Sequence, residues 1–402
     1  SANTPFLDRL ADEGAVYENV WSPGAATYLS VPSLFTGLDP YESNSFNLSE
    51  WNSGMSLVPR FEAAGYYTAG FSANSLVGPL DNFDAGFRFF RVRFWPPADV
   101  MFNELKTHFL YSWKNRFPFF LYVHLIDPHD PYFAPDAIAD LSRRGRPPGF
   151  AADPRDTRHK YVLEGLNPAD YLPPGNAGYM RTLYDEEVRY ADGWLERTFN
   201  MMKDAGALDG TLVVVTADHG EMFLEHGDLM HGTQLYEETV RVPLILWGSL
   251  PPGLKPGTRV AEPHSLMELL PSILDWQGIE APGAAAKRAT LFPGQPPPPP
   301  PFVATTGLPF DAYGEDHELI CIRDGDFKLI LDVTAGERRL FNLSDDPGER
   351  RDLSEEMPPA ADRLAELALA QRDASRRANA VRDDAKPSPT LIRRLKALGY
   401  VK

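Results

Sequence analysis

Asp218-His219-Gly220-Glu221, with His226 and His231 just beyond it, concentrates metal-binding chemistry in one stretch of a chain that has only nine histidines. A carboxylate and an imidazole at adjacent positions can hold one divalent ion if the backbone turns sharply after them, and Gly220 allows such a turn without steric cost. The competing structural reading is a helix start in which Asp218 caps the first turn and Glu221 closes a capping box. The residues just before the pair favour the ligand reading. Val213-Val214-Val215-Thr216-Ala217 is an apolar, β-branched run of the kind that forms a buried parallel strand, and open α/β sheets bind ligands beyond the carboxyl ends of such strands.

The elements that position this stretch follow from periodicity. Leu7–Val16 has helical spacing, Tyr66–Phe71 reads as a short strand, and Phe119–Leu125 as a stronger one that runs into the proline-braced loop Ile126–Tyr132. Tyr184–Lys203 reads as an amphipathic helix feeding the Val213 strand. Strands alternating with helices predict an α/β fold with a doubly wound, mostly parallel sheet over residues 1–285. Pro296–Pro301 predicts a stiff connector within residues 286–302. Residues 303–402 predict a small antiparallel sheet, with strands at His317–Ile322, Phe327–Leu331 and Arg339–Leu343, a turn at Asp324-Gly325 and a helix over Ala360–Ala378.

Composition narrows the partners. The 402 residues are 43% hydrophobic, enough for a sizeable core, and no apolar run approaches the ~18 residues of a membrane span. A net charge of -17 argues against nonspecific nucleic-acid binding and means that an anionic substrate must be held by a local cationic centre. The single Cys321 excludes an internal disulfide framework. No signal peptide is visible ahead of Ser1-Ala2-Asn3.

The ordered set of Thr4-Pro5-Phe6-Leu7-Asp8-Arg9-Leu10-Ala11, His124–Tyr132, Tyr184-Asp185 with Asp192, Asp218-His219-Gly220-Glu221, Leu235-Tyr236-Glu237, Arg241-Val242-Pro243, Phe341-Asn342-Leu343 with Asp345-Asp346-Pro347, and Leu398-Gly399-Tyr400 resembles the sulfatase family of the alkaline phosphatase superfamily. The resemblance runs through nearly the whole chain. It implies a metal-dependent ester hydrolase with Asp218 and His219 as ligands of one divalent ion, whose donor set accepts Ca, Mn, Mg or Zn. It also implies a small-molecule, glycan or lipid ester as substrate, and a periplasmic or extracellular-facing location. His129 is expected to bind a nonbridging oxygen or protonate the leaving group. His231 takes the place of a lysine that contacts the anionic group in many members, Asn74 is expected to line the pocket, His226 to organise its loop, and Glu221 to orient the turn.

The nucleophile falls within Thr27-Tyr28-Leu29-Ser30-Val31-Pro32-Ser33-Leu34-Phe35-Thr36-Gly37. Matching Ser30-Val31-Pro32-Ser33 to the family pattern would make Ser30 a formylglycine precursor, but the family's spacing to Thr36-Gly37 selects Thr27, which is also expected to be a metal ligand. Threonine cannot become formylglycine, and Leu29 and Val31 replace the proline and arginine of the maturation signal, so no formylglycine is expected. An unmodified hydroxyl activated by a metal suits attack on phosphorus, as in the family's Thr-nucleophile phosphoryl-transfer branches. The competing role for Thr27 is helix capping.

Members of the family ordinarily carry a hydrophobic strand ending in acidic ligands ahead of the Thr4-Pro5 segment, and none is found here. The reading taken is an enzyme lacking that strand in this chain, with weak metal binding, little activity and reduced stability expected. A sulfuric ester hydrolase and a noncatalytic anion-binding relative stand as the alternatives.

Overall fold

Pro5 opens helix α1 (Pro5–Glu13), its fixed φ suiting a first helical turn, and Phe6 and Leu10 bury the helix's apolar side. The expected helix over Leu7–Val16 stops at Glu13. A Cβ at Gly14 would lie 2.1 Å from the Leu246 carbonyl oxygen, and Ala15 and Val16 already belong to strand β1 (Ala15–Trp21). Thus the sheet overrides local helical spacing. The computed structural model describes residues 3–46, 51, 53–113, 118–130, 132, 176–295, 302–306 and 318–378. The polyproline run and the Leu398-Gly399-Tyr400 ending lie outside them.

Helix α2 (Thr27–Thr36) is buried along its whole length and ends at Gly37, whose φ of 68° closes the helix with an amide bond to the Ser33 carbonyl. Helix α3 (Val58–Ala63), β2 (Tyr67–Ser72), β3 (Phe89–Val92), α4 (Ala98–His108) and β4 (Phe119–His124) follow. Their strands form an all-parallel sheet in the order β3-β2-β4. Helix α5 (Asn176–Asp204) leads to β5 (Leu212–Thr216), and its buried Asp192 accepts the amides of Phe6 and Leu7 at 3.0 and 2.9 Å, satisfying the start of α1. The short hairpin β6 (Met222–Phe223) and β7 (Leu229–Met230) comes next, then the turn α6 (Glu237–Val240), β8 (Arg241–Gly248), β9 (Thr258–Val260), β10 (His264–Ser265) and α7 (Leu269–Trp276). The second sheet runs β10-β1-β8-β5, with β9 also on β1, and is mixed because β8 runs antiparallel to both β1 and β5. The doubly wound α/β architecture is therefore present as a parallel sheet beside a mixed one.

Where these sheets approach, β4 and β5 behave unusually for apolar strands. Phe120 and Tyr122 share one core with Leu212 and Val214, while Leu121 and Val123 share another with Val213. Both strands thus contribute to the same two cores. Yet no ladder joins β4 to β5 among the described residues, and each residue of both strands is only half-buried.

After α8 (Gly283–Ala286), strands β11 (Phe302–Thr306), β12 (Leu319–Asp324), β13 (Phe327–Asp332) and β14 (Arg338–Asn342) make an antiparallel meander, and α9 (Pro358–Ala378) packs on it. The turn at Asp324-Gly325 joins β12 to β13, with Gly325 at φ 62°. This sheet shares a core with the preceding region: Cys321, Ile330 and Phe341 pack with Trp21, Met222 and Tyr236. At the seam, fully buried Lys328 places Nζ 2.8 Å from Glu237 Oε1 and 2.9 Å from Glu349 Oε1. Burial alone would lower the Lys328 pKa, but the two carboxylates outweigh it and push it above the usual lysine range. Lys328→Met is expected to destabilise the protein by about 3–5 kcal/mol, because two carboxylates would stay buried without their cation. Urea unfolding measures this, and a loss under about 1 kcal/mol would mean that water reaches the cluster.

Candidate active site

The Asp-His-Gly turn starts directly after β5, and no helix follows it, so Asp218 has no helix to cap. The turn is held from beneath: the Ser22 hydroxyl donates to the Asp218 carbonyl at 2.5 Å, and the Gly220 amide donates to the Thr239 carbonyl at 2.8 Å. Gly220 does not adopt a left-handed conformation. Glycine is needed there for closeness, since a Cβ would sit 2.0 Å from the Glu238 carbonyl oxygen.

Asp218 Oδ1 accepts the His219 amide at 3.2 Å, while its buried Oδ2 has no hydrogen-bond partner. Oδ2 lies 3.7 Å from His219 Nε2 and 3.9 Å from His124 Nε2. Burial by itself would raise the Asp218 pKa, but His219, His124, the Thr27 hydroxyl and His231 together hold it at about 2. The carboxylate is therefore ionised at any physiological pH. His219 Nδ1 is 2.9 Å from the Gly220 carbonyl, so Nδ1–H donates there and the Nε2 lone pair faces the pocket.

Thr27 Oγ1 stands 3.4 Å from His219 Nε2 and receives the Asn74 Nδ2 donor at 3.4 Å. Thr27 is the first residue of α2. The N-cap is Ala26 and no side chain caps the helix, so the Thr27 hydroxyl is not used in capping. Ser30, the alternative in the other register, is fully buried and tied to the Ser22 hydroxyl at 3.0 Å.

The remaining histidines complete one wall. His231 lies tilted against His219 with ring centres 4.2 Å apart, and His129 meets His231 at 4.9 Å. Glu221 Oε1 holds His231 Nδ1 at 3.0 Å, so Glu221 orients an imidazole. His129 Nδ1 lies 2.6 Å from the Asp130 carbonyl and 3.3 Å from its carboxylate. Thus Thr27, Asn74, His129, Asp218, His219 and His231 are brought together, from segments far apart in sequence.

Three residues of this neighbourhood escape sequence reasoning. His124 closes β4 beside Asp218, with burial lowering its pKa and its Nδ1 held 2.9 Å from the Tyr122 hydroxyl. Ser22 supports the turn from the end of β1, and Trp95 meets the His129 ring edge-on at 4.9 Å. For His124, the position of a lone histidine at the end of an apolar strand was a usable signal; for Ser22 and Trp95 there was none.

His226 lies outside this wall. Its ring stacks on Tyr236 at 3.6 Å, and its Nε2 is 3.4 Å from Glu238 Oε2. With Glu349 these groups form a second set of donors, one atom of each lying within 4.8 Å of the others. The Lys328 ammonium beside Glu349 already supplies a cation there.

The sulfatase family profile matches residues 1–279, and the chain belongs to that family. It is 24% identical over 328 residues to arylsulfatase K of Xenopus laevis, covering 69% of this chain and 59% of that protein. It is 27% identical over 250 residues to choline-sulfatase of Rhizobium meliloti (strain 1021), covering 60% of this chain and 47% of that protein. The chain thus spans about half the length of these curated relatives. A solved structure in complex with its substrate D-glucosamine-2-N,6-O-disulfate aligns with a TM-score of 0.73 at 19% identity, covering 92% of this chain and 93% of that one. Phosphonate monoester hydrolase from Silicibacter pomeroyi gives 0.68 at 21% identity, covering 93% and 90%. At such identities the likeness establishes the fold. No helix among the described residues is long and apolar enough to cross a membrane.

Proposed function

We propose that this chain carries the active site of a metal-dependent hydrolase or transferase of sulfate and phosphate esters, with Thr27 as nucleophile and phosphoesters as the preferred class. The carrying observation is the Thr27 hydroxyl beside His219 Nε2 and the unpartnered Asp218 Oδ2. Those two ligand atoms with Thr27 Oγ1 make a donor set that suits a hard or borderline divalent cation. A metal ion bound there would lower the pKa of the Thr27 hydroxyl and offset the charge of the ester.

The chain's own groups account for the rest. Asn74 directs the Thr27 oxygen, and the first-turn amides of α2 favour an anion at that end of the helix. His129 and His231 form the opposite wall, where an imidazole can deliver a proton to the departing oxygen. Phosphoester preference rests on Thr27 and Val31, which remove both the oxidisable residue and the arginine of the formylglycine signal. We further infer that β4 and β5 take a strand between them whose acidic end completes the ligand set. The support is their shared cores and their free edges, which no strand pairs among the described residues.

Turnover of nitrophenyl phosphate, a nitrophenyl phosphodiester and nitrophenyl sulfate, each with added divalent metals, tests the assignment. Phosphoester turnover is expected to exceed sulfate turnover; dominant sulfate turnover would overturn both the register and the phosphoester preference. Binding of inorganic anions with no turnover of any ester would favour a noncatalytic binder.

A further inference from the structure

We infer that Trp95 is a substrate-contact residue whose indole N–H donates to a hydroxyl oxygen on the alcohol half of the ester, selecting a hydroxylated ring such as a pyranose. The inference rests on the ester-hydrolase reading and adds the part of the substrate that the anion site does not see. Trp95 belongs to the pocket by a closed circuit of contacts. Its ring meets His129, His129 meets His231, His231 meets His219, and His219 faces Thr27, which is bonded to Asn74. The circuit closes where the Trp95 amide donates to the carbonyl of Ala73 at 3.1 Å.

Two features of Trp95 are unexplained by folding alone. Its φ is 49°, a left-handed conformation that bulky side chains rarely adopt. Such strain gathers at binding and catalytic sites, where the surrounding structure holds it. Its Nε1 is buried and has no acceptor among the described residues, although tryptophan N–H groups that leave water ordinarily find one. An acceptor brought by the ligand satisfies that donor. Phe94 then extends the surface outward, 71% exposed and stacked on Trp95 with ring centres 6.2 Å apart. An aromatic pair matches the apolar C–H face of a sugar ring, while the N–H requires an oxygen that a bare phenyl group lacks. Because Trp95 meets the leaving-group side of the histidine wall, the moiety it touches is the alcohol and not the transferred anion.

The test compares inorganic phosphate with glucose 6-phosphate by calorimetric titration of the metal-supplemented protein and its Trp95→Phe and Trp95→Ala variants. Wild type is expected to bind the sugar ester at least about tenfold more tightly than the inorganic anion. Trp95→Phe is expected to lose most of that advantage and Trp95→Ala all of it, with the inorganic-phosphate affinity unchanged in both. Equal weakening for both ligands would place Trp95 behind His129 as a support, and no change for either would make its conformation purely structural; each overturns the inference. Titrations completed before measurable phosphate release read binding alone, so a failure of the ester-hydrolase reading would appear separately, as absent catalysis with the Trp95-dependent preference intact.

Discussion

Thr27→Ala is expected to lower kcat for ester cleavage by on the order of a thousandfold or more, since the transferred group would have no oxygen to join. Thr27→Ser, which restores a hydroxyl at that position, should recover much of the rate. Stability should change by less than about 1 kcal/mol, because the hydroxyl's contacts to Asn74 and His219 are long, at 3.4 Å each, and it does not cap α2. Steady-state kinetics beside circular dichroism separates the two effects. An alanine variant keeping a tenth or more of the wild-type rate would move the nucleophile elsewhere. Ser30 would then be the next residue to examine, although its burial and its bond to Ser22 keep it from the pocket.

The second large effect concerns β4 and β5. A chain extended at its N-terminus by an apolar strand with a carboxylate-bearing end is expected to bind divalent metal at least about a hundredfold more tightly than residues 1–402 alone. Added anionic ligands displace water from the ion and strengthen its hold on the pocket. The same extension should slow amide hydrogen exchange along Phe119–His124 and Leu212–Thr216, whose residues are half-buried here. Calorimetric titration of both chains measures the first effect and exchange mass spectrometry the second. Equal, tight metal binding by both chains would show that Asp218, His219 and Thr27 have all the help they need from residues already present.

The sequence was most readable where a single local pattern and a single physical demand coincided. The Val213 run, the long helix before it and the Asp324-Gly325 hairpin each follow from periodicity or turn chemistry, but the helix begins at Asn176 and not at the expected Tyr184, and the Val213 strand is half-buried and pairs antiparallel with β8 where a buried parallel strand was expected. Helix α9 begins at Pro358 where Ala360 was expected, a difference within ordinary fraying of helix ends. Strand β1 was hidden because Ala15 and Val16 also continue the helical spacing of α1, and only the approach of Leu246 to Gly14 decides between them. Family motifs pointed to Thr27, His129 and Asp218-His219, whose convergence depends on contacts between distant segments. Trp95 illustrates the opposite case. Nothing in Phe94-Trp95-Pro96-Pro97 signals a pocket, because its position depends on a hydrogen bond to Ala73 and a ring contact with His129 that no spacing rule encodes.

The Lys328 seam bears on how the molecule comes apart. Glu349 Oε2 accepts the Glu237 amide at 2.6 Å, Glu237 Oε1 accepts both Lys328 and the Trp21 indole, and the α6 turn that begins at Glu237 lies against Gly220. Loosening the C-terminal sheet therefore exposes paired charges and frees the turn that carries Asp218 and His219. The Asp218-His219 turn and the C-terminal sheet are consequently expected to behave as one cooperative unit, lost together in a single transition on heating or in denaturant.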